Sequence, residues 1–397
     1  MNLAQRAVQI KPSATLAINA KAKALKQMGV HVISFGVGEP DFGTPPHIQE
    51  AAIQALRDGH TRYTPVSGIN ELKDAILEVT LKDYALSYRR ENVLVSCGGK
   101  HALYNLFQAT LDPGDEVVIP APYWVSYPDM IELAGARSAF ITTRENEGFK
   151  LRPEQLESVL TAKTRMLILN SPSNPTGAHY SRGELLALAE LLKKHNLIVV
   201  SDDIYYRILF DGQEWVNMAM LGDTLKQNTF IVNGVSKSYC MTGWRIGYLI
   251  GNADVIGAAS KIQSQSTSNP TSIAQWASVA ALKGPQESVR EMVKVFQERC
   301  RYVLKRLHEI PGVSCLQPAG AFYVFPNFSA CYGKSVRGKT IGNSLQLADY
   351  LMEEAKVAVV PGSAFGEDAC LRFSYAISME DLKEGFDRIA QAVGALS

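Results

Sequence analysis

The feature that most constrains the fold is a regular alternation of short apolar runs with helical segments through the middle of the chain. Several runs, such as MLILN and TFIVN, are apolar on both faces, as in parallel strands covered by helices on both sides. The predicted strands are Asn92–Ser96, Glu116–Pro120, Ser138–Thr142, Met166–Asn170, Leu197–Ser201, Thr229–Asn233 and Ile246–Ile250. The predicted helices among them are Lys100–Thr110, Tyr123–Leu133, Ser181–His195 and Ala253–Gln263. This alternation predicts a doubly wound α/β unit.

The C-terminal part of the chain has a different pattern. Glu287–Glu309 is predicted to form one long amphipathic helix, and the glycine-rich stretch Gly333–Lys339 an exposed loop. Strands of a smaller α+β unit are predicted at Ala321–Phe325, Val357–Val360 and Leu371–Tyr375. We therefore expect a large domain at residues 48–288 and a small C-terminal domain at 289–397. Residues 1–47 would form an N-terminal arm and part of the small domain.

Charge and composition exclude several classes of function. The formal net charge is +1, from 40 Lys and Arg against 39 Asp and Glu, which favours neither nucleic acid nor an anionic membrane as a partner. No apolar stretch reaches the ~18 residues of a membrane span, and the first residues do not resemble a signal peptide. The six cysteines are scattered without metal-ligand spacing, so we expect free thiols, no metal and a cytoplasmic location.

Unusual polar residues follow the predicted strands at their carboxyl ends. In open α/β sheets, ligands bind beyond these ends. The segments concerned are Cys97-Gly98-Gly99-Lys100, Tyr123-Trp124, Ser171 to Gly177, Asp202-Asp203 with Tyr205, and Ser236-Lys237-Ser238. One crevice would thus hold a lysine, an aspartate, a tyrosine, an asparagine, an indole and a helix start led by glycines. These are the groups that an aromatic, phosphorylated, carbonyl-bearing cofactor requires.

One end of this crevice could bind a phosphate. Gly98 and Gly99 open a helix, whose free N–H groups and dipole attract an anion, although an ordinary tight turn is the alternative. Arg245 follows Lys237 by eight residues and carries a guanidinium fork that matches a phosphate. A surface arginine is the alternative there.

The middle of the crevice could bind an aromatic ring. Asp202, at the end of a buried strand, could pair with a protonated pyridine nitrogen or cap a helix. Tyr205 and Asn174 could donate to a phenolate oxygen of the ring, although a tyrosine or asparagine taken alone is more often structural. Lys237 could form a Schiff base if its pKa is lowered, and then move protons, whereas most lysines are simply exposed.

Two further residues complete the set. Trp124 could stack on the ring or pack in the core. Arg372 is a charge within an apolar strand and needs an anion, either a substrate carboxylate or a structural salt-bridge partner.

Three motifs, taken in order, resemble those of class I aminotransferases of the pyridoxal-5'-phosphate (PLP) fold type I. They are SPSNPTG at 171–177, SDDIY at 201–205 and SKSxxMTGWR at 236–245. The resemblance runs from Lys11 to Arg372 and is greatest for the bacterial aspartate aminotransferase branch that includes prephenate aminotransferases. It implies a mostly parallel seven-stranded sheet flanked by helices, plus a smaller α+β domain.

The resemblance also implies individual roles. Lys237 would bind PLP covalently and shuttle the proton, with Asp202 and Tyr205 as the other catalytic residues. The cofactor would be held by Gly99, Lys100 through its backbone, Trp124, Asn174, Asp202, Tyr205, Ser236, Lys237 and Arg245. The substrate carboxylate would be bound by Arg372, Asn174, Trp124 and the backbone of Gly38. Family members are homodimers with shared sites, so Tyr63 would reach the phosphate of the partner's cofactor.

The sequence departs from the better-known branch of the family at two places. Residues 261–276 contain no arginine to bind the distal substrate carboxylate, and Lys11 matches a lysine that does this work in the closer branch. Gly234 stands where the other branch has a phosphate-binding serine.

We therefore expect a ping-pong aminotransferase that converts L-aspartate and 2-oxoglutarate into oxaloacetate and L-glutamate. Prephenate or an aromatic amino acid is the alternative substrate for the same site. A PLP-dependent C–S lyase and a non-catalytic sensor are alternatives of other classes.

Overall fold

The computed structural model describes residues 2–10 and 12–397, which form fourteen strands and fourteen α-helices. The strands are β1 Ile33–Ser34, β2 Val93–Ser96, β3 Glu116–Ala121, β4 Arg137–Thr142, β5 Thr164–Asn170, β6 Ile198–Asp202, β7 Thr229–Gly234, β8 Gly247–Ile250, β9 Tyr323–Val324, β10 Ser335–Val336, β11 Lys339–Thr340, β12 Val357–Ala358, β13 Val360–Pro361 and β14 Leu371–Ser374. The helices are α1 Gln5–Gln9, α2 Ala14–Gln27, α3 Pro46–Arg57, α4 Asn70–Tyr84, α5 Gly99–Thr110, α6 Tyr127–Leu133, α7 Pro153–Val159, α8 Arg182–Lys194, α9 Asp223–Asn228, α10 Ala253–Ser266, α11 Ser272–Lys283, α12 Glu287–His308, α13 Ser344–Tyr350 and α14 Met379–Gly394.

The seven predicted central strands form one sheet in the order β2-β8-β7-β6-β5-β3-β4. Only β8 runs antiparallel to its neighbours, and the other adjacent pairs are parallel. The prediction of a mostly parallel seven-stranded sheet is therefore confirmed. Every residue of β7 is buried, as the two-sided apolar pattern of that strand required. The carboxyl ends of β2, β5, β6 and β7 lie at one edge of the sheet.

Two helices illustrate how the sequence sets the local structure. At the start of α8, Ser181 accepts a hydrogen bond from the backbone of Glu184, whose carboxylate in turn accepts from the backbone of Ser181. The long helix α12 buries one apolar face, formed by Val289, Met292, Phe296, Cys300, Val303 and Leu307. This spacing of three and four residues is that of an amphipathic helix, as predicted.

The C-terminal strands form small sheets. Strands β13, β14 and β9 form an antiparallel sheet in that order, while β12 pairs in parallel with the N-terminal strand β1. The single strand predicted at Val357–Val360 is thus divided into two strands with different partners. The loop predicted at Gly333–Lys339 is wrong in part, because β10 and β11 pair there as a hairpin. Its turn residues Arg337 and Gly338 have φ angles of 49° and 76°, which a tight hairpin turn requires.

Within the described residues, the helices are all too short or too polar to cross a lipid bilayer.

Candidate active site

A cavity of about 460 Å³ opens where the carboxyl edge of the central sheet faces the small C-terminal sheet. Eleven residues predicted from the sequence line it: Gly38, Gly99, Lys100, Trp124, Asn174, Asp202, Tyr205, Ser236, Lys237, Arg245 and Arg372. Tyr63 does not line the cavity, and 92% of its surface is exposed. Lys11 lies outside the described residues. Because β2, β5, β6 and β7 end at the same edge, their following loops converge as the sequence predicted.

Lys237 follows β7 and projects into the cavity. Its ammonium nitrogen donates a hydrogen bond of 2.6 Å to the backbone oxygen of Gly38. Desolvation lowers the pKa of Lys237 from 10.5 to about 8; the charge of Glu39 opposes this shift, and Arg245 and Arg372 add to it. The amine is therefore partly neutral near physiological pH, as a nucleophile requires.

Asp202 ends β6 and is 5% exposed. Its carboxylate accepts hydrogen bonds from the Tyr127 hydroxyl at 2.6 Å and from the Ile204 backbone at 3.3 Å. Burial raises the pKa of Asp202 to about 6, while the bond from Tyr127 acts in the opposite direction. The following residues form turns rather than a helix, so Asp202 does not serve as a helix N-cap.

A backbone cradle lies at the other end of the cavity, where α5 begins at Gly99. Gly98 has a φ angle of +90°, and a β-carbon on it would lie 2.4 Å from the Arg245 guanidinium. That guanidinium donates to the backbone oxygens of Thr242 and Cys97 at 2.9 and 3.3 Å. The helix start and a cation therefore face the same space, which suits an anion.

Gly234, one of the two sequence departures, has a steric explanation. A β-carbon at this position would lie 2.9 Å from the backbone oxygen of Ile246 and 3.0 Å from Gly247. Because both neighbours belong to the backbone of the adjoining chain segment, a serine would not fit here without moving β8. Any hydroxyl that contacts a phosphate must come from another residue, and Ser236 lines the cavity.

Arg372 is 2% exposed, and its hydrogen-bond partners are neutral. It donates to the side-chain oxygen of Asn174 at 3.1 Å and to the backbone oxygen of Gly36 at 2.8 Å. Its Nε atom has no hydrogen-bond partner among the described residues. These contacts are not the structural salt bridge that was the alternative for Arg372. Arg372 lines the cavity, and its Nε–H remains available to donate a hydrogen bond to an anion.

The structure adds residues that the sequence did not single out. The Tyr323 hydroxyl lies 2.9 Å from that of Tyr205, and the Tyr323 ring lies 4.7 Å from the Arg372 guanidinium. The side-chain ammonium of Lys100 lies 5.1 Å from the centre of the Trp124 ring and lines the cavity, whereas only its backbone was expected to contribute. No motif marked these contacts, because they join residues far apart in the chain.

The distribution of charge along the cavity fits a phosphorylated pyridine aldehyde. A helix start and Arg245 suit the phosphate, the buried Asp202 suits a pyridine nitrogen, and Lys237 suits the aldehyde. The part of the chain that the structure describes contains no cluster of His, Cys, Asp and Glu that could hold a metal ion.

A mostly parallel sheet with Lys237 in a cleft at its carboxyl edge suits an enzyme that binds such a cofactor, and the comparisons with known proteins define its class. Residues 30–389 match the family described as aminotransferase class I and II. The match covers most of the chain, so the protein belongs to this family of transferases.

Full-length relatives support the same assignment. The chain is 48% identical over 393 residues to an aspartate aminotransferase of Bacillus subtilis, covering 99% of each chain. It is also 48% identical to an aspartate/prephenate aminotransferase of Nitrosomonas europaea, covering 98% of this chain and 99% of the relative. The structure of the Rhizobium meliloti aspartate aminotransferase superposes with a TM-score of 0.97 at 45% identity, covering 100% of both chains. That of the Thermus thermophilus enzyme with maleate gives 0.92 at 42% identity, covering 99% of this chain and 100% of the other.

Proposed function

We propose that this aminotransferase moves an amino group between L-aspartate and 2-oxoglutarate by a ping-pong mechanism, with PLP in the cavity. The observation that carries the proposal is Lys237, whose amine has a pKa lowered to about 8 and lies in a cavity that Asp202 and Arg372 also line. Relatives named aspartate aminotransferase, aligned over almost the whole chain, support the choice of substrate.

The cofactor would be held by residues from both ends of the cavity. When bound, PLP supplies an aldehyde that accepts the amino group and a ring that withdraws electrons from the substrate. Asp202 would keep the pyridine nitrogen protonated, and Tyr205 and Asn174 would donate to the ring oxygen. Trp124 would stack on the ring. Gly99, the Lys100 backbone, Ser236 and Arg245 would bind the phosphate.

Lys237 would also move the proton. Its amine lies 2.6 Å from the carbonyl oxygen of Gly38, which orients the group while it is free. With a pKa of about 8, both protonation states are populated near neutral pH, so the amine can accept a proton at one carbon and deliver it at another.

The substrate would be bound by cations. The Arg372 Nε–H has no partner among the described residues and could donate to an α-carboxylate, and Asn174 and Gly38 line the same cavity. The Lys100 ammonium is a second cation in the same cavity and could bind a distal carboxylate. We retain Lys11 as a further candidate for that carboxylate, on sequence grounds alone.

Prephenate is the second candidate substrate. It also carries two carboxylates, and the name of the Nitrosomonas europaea relative includes prephenate as well as aspartate. The cations proposed for aspartate would serve this substrate too, so the choice between the two substrates depends on whether the cavity has room for the prephenate ring.

We further propose a cytoplasmic homodimer with shared active sites. Tyr63 is exposed in the single chain, in a loop held by two buried glutamines. Gln263 donates to the Val66 backbone at 2.8 Å, and Gln275 donates to the Thr64 hydroxyl at 3.0 Å. A fixed, exposed aromatic side chain suits contact with a partner's cofactor. We place the domain boundaries at residues 47/48 and 288/289, close to the first residues of α3 and of α12.

The test is an absorbance titration of the PLP-loaded protein with L-aspartate, L-glutamate, L-phenylalanine and L-cysteine. We expect the band of the lysine-bound cofactor to disappear with L-aspartate and to return with 2-oxoglutarate. Release of pyruvate and ammonia without an oxo acid would indicate a lyase instead. Absence of any band would contradict the proposal.

A further inference from the structure

We propose that Tyr323 is a positioning residue that orders two different groups at once, the Tyr205 hydroxyl and the Arg372 guanidinium. Tyr205 is proposed above to contact the cofactor and Arg372 the substrate, so this inference rests on the proposed function. Tyr323 would thereby couple the two binding sites through one side chain.

The first contact is between hydroxyl groups. The oxygen atoms of Tyr205 and Tyr323 lie 2.9 Å apart, and both side chains are buried. Tyr205 can donate its only proton to a cofactor oxygen only if it does not donate it to Tyr323. Tyr323 must then be the donor of this hydrogen bond and Tyr205 the acceptor. A donor that is itself an acceptor in a chain of hydrogen bonds is strengthened, so Tyr323 would make Tyr205 a better donor toward the cavity.

Gly38, which has no side chain, leaves space for the Tyr323 hydroxyl. A β-carbon on Gly38 would lie 3.1 Å from this hydroxyl, tighter than an ordinary van der Waals contact. Gly38 is also the residue whose carbonyl oxygen accepts from Lys237. A side chain at position 38 would therefore press on the tyrosine pair beside the lysine.

The second contact uses the ring of Tyr323. The centre of the ring lies 4.7 Å from the central carbon of the Arg372 guanidinium, within the range of a cation–π interaction. Strands β9 and β14 place the two residues together, because Tyr323 pairs with Ser374, two residues from Arg372. Alternation along a strand puts positions 372 and 374 on the same face of the sheet. The ring thus supports a guanidinium whose hydrogen-bond partners are neutral.

The two contacts can be separated by substitution. Tyr323→Phe removes the hydroxyl and keeps the ring, whereas Tyr323→Leu removes both. Tyr375 provides a matched control, since it is fully buried in the same core and its hydroxyl donates to the Ala321 backbone at 3.2 Å. It does not line the cavity, so Tyr375→Phe tests the loss of a buried tyrosine hydroxyl without a change at the site.

Two readouts are needed, both on the PLP-loaded protein. The first is the pH midpoint of the absorbance change of the lysine-bound cofactor, which reports how tightly a proton is held between the lysine nitrogen and the ring oxygen. Loss of the Tyr323 hydroxyl weakens donation to that oxygen, so Tyr323→Phe should raise the midpoint by roughly 0.3 to 1 pH units. The second is the affinity for maleate, a non-reacting dicarboxylate. Tyr323→Phe should leave it nearly unchanged, and Tyr323→Leu should weaken it about fivefold or more.

Each outcome gives a decision. A wild-type protein that has no band, or whose band does not respond to L-aspartate, contradicts the proposed function itself. If the wild type responds but Tyr323→Phe leaves the midpoint unchanged, the proposal for Tyr323 fails while the function stands. An equal shift in Tyr375→Phe would likewise overturn the proposal. If Tyr323→Leu does not fold, comparison of Tyr323→Phe with Tyr375→Phe still tests the proposed role of the Tyr323 hydroxyl, because each of these variants loses a single hydroxyl group.

Discussion

The environment of Arg372 predicts that its substitution will lower enzymatic activity without lowering the free energy of unfolding. Arg372 is almost fully buried, yet its hydrogen-bond partners are the neutral oxygens of Asn174 and Gly36. Burial lowers the pKa of its guanidinium, as expected for a cation removed from water. Such a charge costs folding free energy, and under the proposed function a substrate anion would complete its coordination. Arg372→Met removes the charge and keeps an apolar chain that can fill most of the space.

The expected loss of activity follows from the hydrogen bonds to a carboxylate. Two parallel bonds between charged groups contribute about 1.5–3 kcal/mol each, or roughly 3–6 kcal/mol together. At about 1.4 kcal/mol for each factor of ten, kcat/KM for L-aspartate should fall by roughly 10² to 10⁴. The free energy of unfolding should stay within about 1 kcal/mol of wild type or rise, because an uncompensated buried charge is removed.

Arg299 provides the matched control, because it is also buried but has a counterion. Its guanidinium binds both oxygens of the Asp41 carboxylate at 2.7 and 2.8 Å. Arg299→Met leaves that carboxylate unpaired and should lower the free energy of unfolding by roughly 2–4 kcal/mol. The assays are steady-state kinetics and denaturant unfolding of all three proteins. The reasoning is refuted if Arg372→Met is destabilised as much as Arg299→Met while kcat/KM falls less than tenfold.

Three shorter predictions concern other residues of the cavity. Lys237→Ala should fold normally but show neither the band of a lysine-bound cofactor nor turnover, and normal turnover by this variant would exclude Lys237 as the cofactor lysine. Lys100→Ser should raise KM for L-aspartate by roughly tenfold or more with little effect on L-alanine, since only the former needs a second cation; equal effects on both would argue against that role. Asp202→Asn should lower kcat on the order of 100-fold or more, because an amide cannot stabilise a protonated pyridine nitrogen. Retention of full activity would contradict the pairing.

The central sheet was predictable because its signal is local. Runs such as MLILN and TFIVN place apolar residues on both faces, and β5 and β7 are indeed largely buried strands of a mostly parallel sheet. Once these strands are known, the carboxyl edge of the sheet follows, and with it the convergence of Asn174, Asp202 and Lys237. The position of the cavity therefore did not require any knowledge of tertiary packing.

The contacts that complete the cavity could not be predicted in this way. Tyr205 and Tyr323 are 118 residues apart, and Tyr127 and Asp202 are 75 apart. Each pair meets only because separate elements pack together. The local sequence around a tyrosine in a predicted strand or helix does not indicate which residue its hydroxyl will contact. The division of Val357–Val360 between β12 and β13 has the same cause, since the partners of these strands, β1 and β14, come from opposite ends of the chain.

The lowered pKa of Lys237 makes a prediction about stability that needs no ligand. The folded-state pKa is about 8, below the usual 10.5 of a lysine, so between these values the unfolded chain binds more protons than the folded one. The free energy of unfolding of the cofactor-free protein should therefore rise with pH across this window. Below pH 8 the folded protein bears the full cost of burying the protonated Lys237 amine. Its size is at most about 3 kcal/mol, from 1.36 kcal/mol per pH unit. Lys237→Met lacks the titrating amine, so its advantage in stability over wild type should shrink from pH 8 to pH 10 in urea unfolding. If the free energies of unfolding of the two proteins change in parallel with pH, the amine is not desolvated. Desolvation is also the reason given for the nucleophilicity of Lys237 near neutral pH, so the same result would remove that explanation.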